Sequence, residues 1–93
     1  PVELGFKARS MAKIMERCYL LFPREIVQFH GVTFHRGMIV RVVTDKQKVF
    51  EGRLIGLSND NMLCVLTNRY IVAQELHKVN EMNICETAKE ITQ

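Results

Sequence analysis

The chain contains no tryptophan and only two prolines in 93 residues. It has no apolar run approaching the roughly 18 residues of a membrane-spanning helix. Its first residues, PVELGFKARS, have no apolar stretch of the kind a secretory leader uses. Cysteine is scarce: Cys18, Cys64 and Cys85 are odd in number and widely spaced. That pattern argues against a disulfide framework and for reduced thiols in an intracellular setting, cytoplasmic or nuclear. Phosphate-binding P-loops, nucleophile elbows and dinucleotide fingerprints are missing, and the carboxylates are scattered. No catalytic residue and no cofactor is therefore expected. Cys18, His30, His35 and Cys85 lack the C-x2–4-C pair of closed zinc sites, so no metal centre is expected either. Cys64, inside MLCVL, and Cys18, on an apolar helical stripe, read as small core residues.

What is present is an ordinary globular composition, 47% hydrophobic and 25% charged. The length fits one domain over 1–93. With Pro1 first, loss of an initiator methionine or excision from a longer protein is the expectation. Residues 1–53 hold ten Lys/Arg against five Asp/Glu, whereas residues 54–93 hold three against five. The basic half suggests an anionic partner.

Met11, Ile14, Met15, Cys18 and Leu21 recur at helical spacing behind a capping Ser10, which predicts a helix over 10–22. Pro23 ends it. Arg24–His30 reads as a short second helix closed by Gly31, with a strand over 26–30 as the alternative; the helical segment as a whole spans 10–30. Beyond Gly37 the character is β. Strands are expected over 38–44, 49–57, 62–67, 69–73 and 76–79, and a polar tail over 86–93. His35 is placed in a turn and His77 on the last short strand. In VFEGRLIGL, period two puts Phe50, Gly52, Leu54 and Gly56 on one face and Glu51, Arg53 and Ile55 on the other. Two glycines on one face let a strand bend sharply. The polar knot Ser58-Asn59-Asp60-Asn61 then supplies a tight turn. The expected fold is mainly β with an N-terminal helix: a small, five-stranded, strongly bent antiparallel barrel over 37–82, whose closure removes exposed edges.

Phe50-x-Gly52-x-Leu54-x-Gly56, the polar turn and the run Leu63-Cys64-Val65-Leu66 resemble the first signature of the Sm and Hfq-like proteins. Tyr70 through Val79 is similar to that family's closing strands, two short strands separated by a kink. Ser58 stands where the family usually has Asp, and Gln74-Glu75 where it has Arg-Gly. The resemblance covers roughly residues 20–82. It implies a barrel that contacts RNA and pairs with its own or related subunits through strand edges. A weaker likeness is to the C-terminal accessory barrel of biotin protein ligases, through Glu51-Gly52, Gly56, Asp60 and Leu63. That likeness implies a protein-interaction module of, or adaptor for, a larger enzyme.

The candidate RNA-binding residues are Asn59, Asp60 and Asn61 for base edges, Arg69 and Tyr70 in the turn over 67–70, with Tyr70 for stacking, and Lys46 and Lys48, with Arg41 and Arg53, for phosphates. Ile71, Val72 and Leu76 are the candidate partner-binding residues on short edge strands. The methionine-bearing helix stripe caps the barrel or docks a partner. No membrane association is expected.

Overall fold

A computed structural model describes residues 2–3 and 8–85. It is mainly β, with a helix near the start, one extended antiparallel sheet and one two-stranded sheet. Strand β1 (Val2–Glu3) precedes helix α1 (Ala8–Leu21). Strands β2 (Ile26–Phe29) and β3 (Val32–His35) form a hairpin. Strands β4 (Ile39–Thr44), β5 (Val49–Leu57), β6 (Met62–Leu66), β7 (Tyr70–Glu75) and β8 (Val79–Ile84) complete the chain. The large sheet runs β1-β7-β6-β5-β4-β8. Strands β7 and β8 are not paired to each other among the described residues, so the sheet has two edges.

The helix over 10–22 is found at 8–21, but the expected second helix is a strand. Ile-Val-Gln-Phe alternates out and in, burying Val27 and Phe29 against the core. His30 (φ 48°) and Gly31 (φ 80°) then form a two-residue turn into β3, the geometry that matches the twist of hairpin strands. His35 is consequently the last residue of β3, paired with Ile26. The expected strand over 76–79 is also corrected. Leu76–Lys78 is a single 3-10 turn, and His77 lies on it. Leu76 N–H donates to Asn61 O at 3.0 Å, and its side chain packs on the core. The last strand starts only at Val79, and its register slips at Asn80, so VNEMNI hides its alternation. The polar tail lies outside the described residues. None of the described helices is long and apolar enough to cross a membrane.

The inner face of the sheet holds the main core: Val40 and Val42 of β4, Leu54 and Leu57 of β5, Leu63 and Val65 of β6. The β2–β3 hairpin covers it with Val27, Phe29 and Phe34, and β8 adds Val79 and Met82. Period two holds along β5 as far as Leu54. There the register against β6 shifts between Leu54 and Gly56, leaving Ile55 as an extra residue. This bulge lets Leu54, Ile55, Gly56 and Leu57 all be buried in succession and moves Gly56 to the outer face opposite Cys64.

The two glycines are explained less by bending than by close approach. A Cβ on Gly52 would collide with Leu66 O and stand 2.7 Å from Leu66 C and 2.9 Å from Thr67 Cα. A Cβ on Gly56 would stand 2.5 Å from Phe22 O and 2.8 Å from Arg24 O. There the chain crosses β5, and Arg24 and Leu57 exchange backbone hydrogen bonds of 3.1 and 2.9 Å.

Helix α1 covers half of the outer face. Cys18 meets Ile55 and Cys64, flanked by Ile14, Met15, Phe22, Leu66 and Ile71. Burial pushes the Cys64 thiol up to about 12, with Cys18 adding to the rise; burial also raises Cys18. An unfolded thiol loses its proton near pH 8.5. The folded state therefore binds more protons above that value. Its thiol contribution is complete below about pH 8.5 and is lost as pH climbs toward 12. The thermal midpoint is expected to fall between about pH 8 and pH 10.5, and to fall less steeply in Cys64→Ala. Differential scanning calorimetry across that window checks it.

Candidate nucleic-acid groove

The other half of the outer face, over β4 and the start of β5, is not covered by α1. Period two points Ile39 and Arg41 of β4 and Glu51 and Arg53 of β5 outward. The 67–69 turn borders them, because Leu66, where that turn begins, pairs with Arg53. The result is an open concavity of about 750 Å³, its walls including Phe50, Thr67, Asn68, Arg69 and Tyr70.

The bordering turn is wired to itself. Thr67 Oγ1 accepts from the backbone N–H of Arg69 at 3.3 Å and of Tyr70 at 3.0 Å, and donates to Tyr70 O at 2.7 Å. Thr67 N–H also donates to Tyr70 O at 2.9 Å. Such a Thr-centred turn fixes the backbone that presents Arg69 and Tyr70. The cations differ in how far they are committed. Arg53 Nη1 donates to Gly37 O at 2.9 Å. Arg41 Nε donates to Glu51 Oε2 at 2.8 Å across the β4–β5 ladder. The Arg69 side chain is exposed, with no hydrogen-bond or ion-pair partner among the described residues. Three guanidiniums against one carboxylate leave the groove cationic.

The candidate RNA-binding residues are divided. Arg69 and Tyr70 lie in the groove, joined by Arg41 and Arg53. Lys46 and Lys48 sit in the turn that runs into Val49 at the groove's end, and Thr44 Oγ1 accepts from their backbone N–H groups at 3.3 and 3.2 Å. Asn59, Asp60 and Asn61 lie at the opposite end of β6, five residues or about 16 Å away along the strand. That turn is built on Ser58 Oγ, which accepts from Asp60 and Met62 N–H groups, and on Asn61 at φ 63°. Arg24 Nη2 donates to Ser58 O at 2.7 Å and to Asn61 Oδ1 at 2.5 Å. Asn61 is thus engaged in holding the fold, while Asn59 and Asp60 are exposed.

The side chains of the candidate partner-binding residues are largely occupied internally. Ile71 packs against the Cys18–Ile55–Cys64 cluster, Val72 is buried, and Leu76 packs on the main core. The backbone edge of β7 is what remains, and β1 pairs with its first part, Val2 opposite Ile71 and Glu3 opposite Tyr70.

Sequence reasoning missed Glu51 and Phe50 as groove residues. The signal was present, because Arg41 and Glu51 stand directly opposite once the 45–48 turn pairs β4 with β5. It also missed Arg36. The Arg36 Nε donates to Ile55 O at 2.5 Å and Nη2 to Phe22 O at 2.8 Å. Its Nη1 lies 3.6 Å from Glu25 Oε2, and the guanidinium sits 4.7 Å from the centroid of the Tyr19 ring.

No protein-family model, curated protein or solved structure matches the chain.

Proposed function

We propose that the chain is a non-catalytic binding module for single-stranded RNA that assembles with copies of itself through strand edges, in the manner of the Sm-like proteins it resembles. The observation that carries the reading is the groove's pairing of a free guanidinium, Arg69, with an aromatic neighbour, Tyr70, on one rigid turn. Single-stranded RNA needs both, a cation for the phosphate and a ring on which an unstacked base can lie. The 58–61 turn is not part of this site. The run of five consecutive strands β4 to β8 within the antiparallel sheet, with β7 and β8 separated by a 3-10 turn, supports the resemblance. One edge is β8 and the other is β1 with the part of β7 beyond Ile71 that β1 leaves open, so pairing β8 of one copy with that part of β7 in the next is head-to-tail and closes a ring if the rotation permits.

A second reading, a protein-interaction module or adaptor, is favoured by the exposed apolar end of α1, where Leu20 is 80% and Leu21 65% accessible.

Native mass spectrometry of the chain mixed with a short single-stranded RNA tests the proposal. Expected are RNA-bearing ions containing several copies, with the bound fraction falling as ammonium acetate rises. Tyr70→Ala should weaken RNA retention roughly tenfold, the usual loss for one stacked base. RNA-free monomer ions at every salt concentration would contradict the proposal and favour the protein-interaction reading.

A further inference from the structure

Resting on the reading of this groove as an RNA site, we infer that the Arg41–Glu51 pair makes it selective for guanine. The pair is only partly satisfied. Arg41 Nε and Glu51 Oε2 are joined at 2.8 Å. The two terminal nitrogens of Arg41 and Oε1 of Glu51 have no other partner among the described residues. Both side chains stand in the groove, with Phe50 and Tyr70 among its walls. Arg53 is tied to Gly37 O, so its fork is less free to read a base.

This pair offers a mixed edge, donors from the guanidinium beside acceptors from the carboxylate. The Watson–Crick edge of guanine carries the acceptor O6 next to two donors, N1–H and the N2 amino group. Guanidinium N–H groups can donate to O6, or to N7 behind it, while the carboxylate accepts from N1–H and N2–H. The other bases fit less well. Cytosine turns the lone pairs of N3 and O2 toward the carboxylate. Adenine presents one acceptor, N1, beside its amino group. Uracil has a single N–H between two carbonyl oxygens that repel a carboxylate. A carboxylate in a phosphate-binding groove lowers general affinity for polyanions; recognition of a base with two adjacent donors gives that carboxylate a role.

The test is fluorescence anisotropy with labelled oligouridine 8-mers carrying one central guanosine, inosine, adenosine or cytidine, at one fixed low salt concentration. The guanosine oligomer should bind at least roughly tenfold tighter than the adenosine, cytidine and all-uridine oligomers. Inosine, which lacks the N2 amino group, should fall between. Glu51→Gln should abolish the guanosine preference while leaving the salt dependence of binding in place, with circular dichroism confirming that this exposed substitution leaves the fold intact. Equal affinity for all oligomers would overturn the guanine assignment and leave the RNA groove standing. A guanosine preference that survives Glu51→Gln would overturn the role of the pair. No binding of any oligomer would overturn the assignment together with the RNA reading.

Discussion

Gly52→Ala is expected to destabilise the protein by about 3 kcal/mol or more, the upper range of overpacking, because the clash is with backbone. The added methyl would meet Leu66 O, Leu66 C and Thr67 Cα, none of which a rotamer change can move. Relief requires β6 to separate from β5 where Arg53 pairs with Leu66. That same separation would lift the 67–69 turn away from Arg41 and Glu51, so the groove would be lost with the stability. Urea unfolding followed by circular dichroism measures the first effect. A Gly52→Ala protein of near wild-type stability would contradict the close approach of Leu66 and Thr67 to Gly52.

The second large effect concerns Arg36. Its guanidinium ties two segments together: β5 at the bulge through Ile55 O, and the end of α1 through Phe22 O and the Tyr19 ring. Arg36→Met keeps much of the stem but leaves two carbonyl acceptors without their donor. Each such loss costs about 1–3 kcal/mol, so a destabilisation of about 2–6 kcal/mol is expected. Arg36→Lys should recover only part of it, since an ammonium lacks the planar fork that reaches two carbonyls at once. Equilibrium denaturation of both variants checks the order wild type, Lys, Met. The Glu25 contact, at 3.6 Å with Glu25 largely exposed, contributes little to this account.

Much of the architecture was legible in the sequence where local pattern and tertiary role agree. Helix α1 declared itself through its apolar spacing, and MIVRVVT and VFEGRLIGL declared β4 and β5 through β-branched residues and alternation. The failures have physical causes. Arg24–His30 looked helical because Pro23 and Gly31 bracket it like helix boundaries; the left-handed turn at His30 and Gly31 makes the bracket a hairpin. Strand β8 was unreadable because a register slip at Asn80 breaks its alternation. Gly52 and Gly56 were correctly singled out, but their reason lies in chain segments 14 and more residues distant, which no local pattern can show. The candidate site was half legible. Arg69 and Tyr70 share one short turn and were found together. The 58–61 turn was grouped with them because both are polar, although β6 separates them. Glu51 was hidden because its meaning depends on which residue stands across the ladder.

The most direct test of the RNA groove is a titration of single-stranded RNA into the isotopically labelled chain, followed by amide chemical shifts. Shifts concentrated at residues 39–41, 49–53 and 66–70, and reduced in Arg69→Ala, are the predicted result. Shifts confined to residues 58–61 or to α1, or no shifts at all, would contradict it.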